Sequence, residues 1–295
     1  MDKRLEVAID AARAAGEIAL RYFRTGLAVE YKDDRSPVTR ADRECEQRIV
    51  DVLRAAFPDY GIIGEELGER PGAGARWIVD PIDGTKNFIR GIPFFATLIG
   101  LEEEGEITTG VVYAPAVDDL LYAQKGAGAF DRNGRVQVSQ VASLRAGMVV
   151  FGGLDIFRTA GRWSAFERLV RTSGRQRGFG DYFGHTFVAR GQAEAMIELD
   201  LQPWDLAAIK ILIEEAGGRF TDFDGHATIY GGDAVASNGV VHDEILQLLR
   251  EPAPIDTTGT GDGFTLLRLL PPIAGRESEP HSCGMWRRHW HNGDA

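Results

Sequence analysis

Asp80 and Asp83 lie three residues apart in the stretch WIVDPIDGTKNF, from Trp77 to Phe88, and they are the residues best suited to chemistry in this chain. Two hard oxygen donors on one turn suit a hard cation such as Mg²⁺. Trp77, Ile78 and Val79 read as a short buried strand that Pro81 to Gly84 cannot continue, so both carboxylates face a common space at its end. The same turn aims the Ile82 carbonyl inward. Beyond it, the amides of Gly84, Thr85 and Lys86 sit at a helix start or in a backbone nest, where a phosphate binds well. Taken alone, Asp-Pro-x-Asp-Gly also describes a plain turn.

Further acids stand at element ends. Asp42 falls in the first turn of a helix that resumes after Pro37 and runs through Cys45, Ile49, Val52, Leu53 and Phe57. There its charge favours the helix dipole. Glu65 and Glu66 leave a short strand at Ile62 and Ile63, and exposed acids in a loop ordinarily face solvent. Asp205 sits in the first turn of a helix opened by Pro203, which is also ordinary capping chemistry.

Together these stretches resemble the inositol monophosphatase family of Mg²⁺-dependent, lithium-sensitive phosphatases. The resemblance lies in Asp80-Pro81-Ile82-Asp83-Gly84-Thr85-Lys86-Asn87-Phe88, in Pro37-Val38-Thr39-Arg40-Ala41-Asp42, and in Trp204-Asp205-Leu206-Ala207-Ala208 followed by Glu215-Ala216-Gly217-Gly218. It covers residues from about 5 to 250. It implies two or three Mg²⁺ ions held by Glu65, Asp80, the Ile82 carbonyl, Asp83 and Asp205, with a weaker claim for Glu66. It implies that Asp42 accepts a hydrogen bond from Thr85, and that this pair orients and deprotonates a water for in-line attack on a phosphomonoester without a phosphoenzyme. Gly84, Thr85 and Lys86 then bind the phosphate. The segment from Leu67 to Ala75 corresponds to a mobile loop over the site.

Substrate choice is read from RGFGDYFG and ELDLQPWD, which look most like the histidinol-phosphatase branch of that family. On this reading Arg177 contacts the phosphate or its surroundings, while Asp181 and Glu198 pair with a cationic substrate such as histidinol phosphate. An acid at Glu198 equally suits sugar hydroxyls, so Asp181 discriminates better. His185, four residues after Asp181, reads as structural. The rival substrates are inositol 1-phosphate or sugar phosphates. A rival of another class is a regulatory protein that uses this fold to contact an RNA-polymerase or ribonucleoprotein complex.

The elements that must carry these residues are legible from periodicity. Leu5, Ala8, Ile9, Ala12, Ala15, Ala19, Leu20 and Phe23 recur at helical spacing. From Pro93, FFATLIGLE, EITTGVVYAPA and DLLYAQKGAGAF read as an antiparallel meander, with a hairpin near Glu102 to Gly105. Gly126, Gly128 and Gly134 serve turns, since GAGAF lacks the strand-to-helix setting of a nucleotide loop. MVVFGG and AEAMIEL read as strands, Trp163 to Val170 as helix, and VVHDEILQLLR as a closing helix. The resemblance implies an α+β fold, a fructose-1,6-bisphosphatase-type layered αβαβα sandwich. Residues 1–140 form an α+β half with the metal motifs, and 141–250 an α/β half with much of the substrate pocket. Residues 251–295 read as a disordered tail whose HSCGMWRRHWH run matches no strong zinc spacing.

With 295 residues, 44% of them hydrophobic and 26% charged, the chain can bury a sizeable core. A net charge of −11 argues against nucleic acid as a partner. No apolar run approaches a membrane span and MDKRLEVAID lacks a signal-peptide core, so the cytoplasm is expected. Cys45 and Cys283 imply no disulfide framework, and Cys45 reads as a small buried residue. The expected partner is a small phosphorylated metabolite, and the resemblance implies a homodimer.

Overall fold

The computed structural model describes residues 2–32 and 36–250. The tail reading from residue 251, with its histidine-rich run, lies outside the described residues.

Helix α1 spans Lys3–Tyr22, and Asp2 caps it by accepting from the Arg4 amide. Two short strands, β1 (Val29–Tyr31) and β2 (Pro37–Thr39), form an antiparallel pair that leads into α2 (Arg40–Ala56). Thr39 and Asp42 make a reciprocal capping box at the start of α2. Strands β3 (Gly61–Gly64), β4 (Gly68–Arg70) and β5 (Ala75–Asp83) follow, then the short helix α3 (Thr85–Ile89). The meander comprises β6 (Ala96–Glu103), β7 (Glu106–Ala114), β8 (Asp119–Gln124), β9 (Gly128–Asp131) and β10 (Gly134–Val136). The remaining elements are β11 (Met148–Phe151), α4 (Leu154–Thr159), α5 (Trp163–Thr172), β12 (Arg175–Arg177), α6 (Asp181–Ala189), β13 (Ala195–Leu199), α7 (Pro203–Glu215), β14 (Arg219–Thr221), β15 (Asp233–Ser237) and α8 (His242–Arg250).

One sheet has eight strands in the order β10-β9-β8-β7-β6-β5-β3-β4, antiparallel except where β3 runs parallel to β5. The other has five, in the order β12-β11-β13-β15-β14. Alternation along each strand divides the side chains between layers. In the larger sheet Trp77, Val79, Ile99, Leu101 and Val111 pack with α1 and α2, while Ile78, Leu98 and Val112 pack with Leu206, Ile209 and Leu212 of α7. In the smaller sheet Val150, Met196 and Ala236 share that second cluster, whereas Val149, Ala195, Ile197 and Val235 pack with Phe166 of α5 and Ile245 of α8. The layers therefore run helix, sheet, helix, sheet, helix. The middle layer, α6 and α7, is shared by both sheets.

Two glycines set how deeply α7 lies on the larger sheet. Gly100 and Gly110 are paired across β6 and β7. A Cβ on Gly100 would stand 2.5 Å from the Ala207 Cβ, and one on Gly110 would stand 2.8 Å from the Ala208 carbonyl. Only bare backbone lets α7 approach this closely.

Two local readings are corrected. The strand at Trp77 does not stop at Pro81 but continues as β5 to Asp83, with a register irregularity between Asp80 and Asp83. A bulge leaves a position without a ladder bond, which accommodates a residue that has no N–H. The segment from Leu67 to Ala75 is not wholly loop either, because Gly68–Arg70 forms β4 on the edge of β3. Among the described residues, no helix is long and apolar enough to cross a membrane.

Candidate functional site

The bulge in β5 turns Asp80 and Asp83 to one side, and Asp80 Oδ1 accepts from the Ile82 amide at 2.9 Å. Asp205 arrives from the opposite direction at the start of α7, where its Oδ2 caps the Gln202 amide at 2.7 Å. One carboxylate oxygen from each of Asp80, Asp83 and Asp205 lies within 4.8 Å of the others. These three, with Glu65, Ile82, Gly84, Thr85 and Lys86, line a cavity of about 210 Å³.

Three carboxylates at this spacing repel one another, and burial strips them of water. Burial, followed by repulsion from neighbouring acids, holds Asp80 and Asp83 well above the usual carboxylate range. Asp205 is pushed up to about 7, chiefly by burial. No Lys or Arg among the described residues pairs with any of the three. The donor set is all oxygen, anionic and unneutralised, which fits a hard divalent cation and not a soft one.

Glu65 borders the same cavity but is pinned from outside. Lys32 Nζ lies 2.8 Å from Glu65 and 2.6 Å from Glu66, whose carboxyl is pushed up to about 7 by burial. Sequence reading missed Lys32, since nothing in its neighbourhood links it to acids more than thirty residues away.

Thr85 Oγ1 lies 3.4 Å from Asp42 Oδ1 and 3.0 Å from the Ile82 carbonyl. The other Asp42 oxygen is taken by the Thr39 amide at 2.8 Å and the Thr39 hydroxyl at 2.7 Å. Asp42 thus caps α2 and reaches Thr85 at once. Its burial raises its pKa. Gly84, at φ +81°, caps α3, so the amides of the first α3 residues begin beside the acidic cavity.

On the other wall stand Asp181, Tyr182, His185 and Glu198. Asp181 has φ +57°, an unusual conformation for a residue with a side chain, and its amide donates to Glu198 Oε1 at 3.3 Å. The next amide, of Tyr182, donates to Asp83 Oδ2 at 2.7 Å. Burial pushes the Asp181 carboxyl up to about 6. Glu198 fits because Gly152 has no side chain: a Cβ there would stand 2.2 Å from Glu198 Oε1. Arg177 stands apart from these residues. It is exposed on the edge strand β12, its Nη1 donates to the Gln176 carbonyl, and it does not line the cavity.

A model of the inositol monophosphatase family matches residues 1–252. A histidinol-phosphatase of Chlorobaculum parvum is 41% identical over 239 residues, spanning 80% of this chain and 92% of that protein. A fructose-1,6-bisphosphatase/inositol-1-monophosphatase of Thermotoga maritima is 36% identical over 255 residues, spanning 84% of this chain and 96% of that protein. The structure of the extragenic suppressor protein SuhB of Bartonella henselae superposes with a TM-score of 0.79 at 33% identity, covering 83% of this chain and 98% of that one.

Proposed function

Since the chain belongs to the inositol monophosphatase family and is a phosphomonoesterase of that family, we propose that its substrate is histidinol phosphate, hydrolysed to histidinol and phosphate. The observation that carries the substrate class is the second pair of acids. Asp181 and Glu198 line the same cavity as Asp80, Asp83 and Asp205, and the one cation that acts on Asp181, Lys86 of the same cavity, is not within ion-pair distance of it among the described residues. A leaving alcohol that bears an ammonium group suits such a wall; a neutral polyol does not need two carboxylates there. The 41% identity with a histidinol-phosphatase, against 36% with a fructose-1,6-bisphosphatase/inositol-1-monophosphatase, supports the same choice.

The roles follow from position. Asp80, Asp83, Asp205 and Glu65, with the Ile82 carbonyl, would hold two or three Mg²⁺ ions. Bound there, Mg²⁺ supplies positive charge for the phosphoryl oxygens and lowers the pKa of water. The backbone of Gly84, Thr85 and Lys86 receives the phosphate at the start of α3. Thr85 and Asp42 form the proton path. As water attacks phosphorus, its proton passes to Thr85 Oγ1 while the Thr85 proton passes to Asp42 Oδ1. The P–O ester bond breaks and the departing alkoxide takes a proton from solvent water. No residue is phosphorylated.

The test is phosphate release from histidinol phosphate and from inositol 1-phosphate, each with Mg²⁺ and with a chelator. A higher kcat/KM for histidinol phosphate is expected. A preference for inositol 1-phosphate keeps the proposed chemistry and removes the proposed substrate. Absence of metal-dependent release from both points to another phosphate ester or to a regulatory binding role.

A further inference from the structure

The two recognition acids are each held by a side chain that no motif role explains. Asn87 stands on α3, at the end of the stretch that carries Asp80 and Asp83, and its Nδ2 lies 3.0 Å from Asp181 Oδ2. The same amide group lies 3.0 Å from the Phe94 carbonyl. Its two hydrogens are therefore both used, one fixing the amide plane on the main chain and one fixing the Asp181 carboxylate. Asp181 needs such a hold. Its backbone is in the left-handed region, so a free side chain there has little local reason to point at the cavity.

Glu198 is held from the opposite side. His185 Nε2 lies 3.4 Å from Glu198 Oε2, and the ring is only 3% exposed. His185 Nδ1 has no hydrogen-bond partner among the described residues. Nε2 is therefore the ring nitrogen that faces the Glu198 carboxylate. The Asp181 amide takes the other Glu198 oxygen. Asp181 is thus held by the Asn87 amide and Glu198 by the Asp181 amide and the His185 ring, and both carboxylates keep lone pairs for a ligand.

We propose that Asn87 and His185 are positioning residues for the leaving alcohol, Asn87 by holding Asp181 and His185 by holding Glu198, and that the Asn87 contact sets selectivity for an ammonium-bearing alcohol. The inference rests on the proposed substrate class. Asp181 binds charge, so loosening it affects only a cationic substrate. Glu198 accepts from an ammonium or from hydroxyls, so loosening it weakens both kinds of ester.

The experiment compares wild type with Asn87→Ala, His185→Leu and His185→Gln at saturating Mg²⁺, reading kcat and KM for histidinol phosphate and inositol 1-phosphate. Asn87→Ala should raise KM for histidinol phosphate by about tenfold, the loss of one hydrogen bond to a charged group, and move KM for inositol 1-phosphate by less than about twofold. His185→Leu should raise KM for both esters with kcat within about threefold, and His185→Gln, which keeps a donor near Nε2, should recover most of the loss. A calorimetric titration with L-histidinol should show the same weakening in Asn87→Ala. Thermal melts identify a variant that does not fold; if His185→Leu is one, Asn87→Ala and His185→Gln still decide. Wild type that prefers histidinol phosphate, with Asn87→Ala unchanged or equally impaired on both esters, overturns the positioning roles alone. Wild type that prefers inositol 1-phosphate overturns the substrate class with them.

Discussion

The Tyr182 amide donates to Asp83 Oδ2 at 2.7 Å, joining the first turn of α6 to a carboxylate of the acidic cluster 99 residues earlier in the chain. The preceding amide, of Asp181, donates to Glu198. One turn of backbone therefore grips an acid on the cation side and an acid on the alcohol side. The two halves of the cavity are spaced by main-chain geometry, which is stiffer than any side-chain contact.

Asp83 and Asp205 should matter for the reaction and not for the fold. Asp83→Asn keeps an oxygen for the Tyr182 amide, and Asp205→Asn keeps one for the Gln202 amide, so both local caps survive. Each removes an anionic donor from the cluster. Phosphate release should fall by at least about a hundredfold in either variant. Thermal melts in chelator should show no loss of stability, because a buried repelling charge has been removed. Turnover near that of wild type in either variant would refute the ligand assignment.

The seat of α7 gives a prediction away from the cavity. Gly110→Ala places a Cβ 2.8 Å from the Ala208 carbonyl, which is backbone and cannot swing aside. Overpacking of this kind costs about 1–3 kcal/mol, and each kcal/mol lowers the melting temperature of a chain this size by about 2–4 °C. Since α7 carries Asp205 at its start, the Mg²⁺ concentration for half-maximal activity should rise as well. A variant with wild-type melting and wild-type Mg²⁺ dependence would show that α7 has room the structure does not suggest.

What was legible in the sequence was local. The stripe from Leu5 to Ala19 predicts α1, the alternating runs after Pro93 predict β6 to β8, and Pro203 marks the start of α7, because each signal is complete within a few residues. The acids of the motifs could be nominated from resemblance. Their partners could not. Apart from Thr85 with Asp42, which the resemblance already pairs, Lys32 with Glu65 and Asn87 with Asp181 are pairs 33 and 94 residues apart, brought together by sheet order and by the seat of α7. The position of Arg177, exposed on an edge strand and outside the cavity lining, was hidden likewise: β12 being an edge strand is a property of the whole sheet, and no feature of RGFGDYFG reports it. Pro81 misled in another way, since a proline ends a regular strand but is tolerated in a bulge.

The acidic cluster should make the metal-free protein less stable as pH rises. Burial is the first cause that holds Asp80, Asp83 and Asp205 above the ordinary carboxylate value of 3.8, with Asp205 at about 7. For a group whose pKa is raised on folding, the contribution to stability is full below the unfolded value and is lost as pH rises through the folded one. For Asp205 the loss therefore falls between about 3.8 and 7. In chelator, the melting temperature of wild type relative to Asp205→Asn should decline from pH 5 to about pH 7 and level off above it. Mg²⁺ competes with protons for the same oxygens, so its stabilisation of wild type should be larger at pH 8 than at pH 5.5. Asp205→Asn should show a smaller change in both measurements. Identical pH profiles for the two proteins, with and without Mg²⁺, would mean that Asp205 ionises as an ordinary surface acid and is not part of a cation-binding cluster.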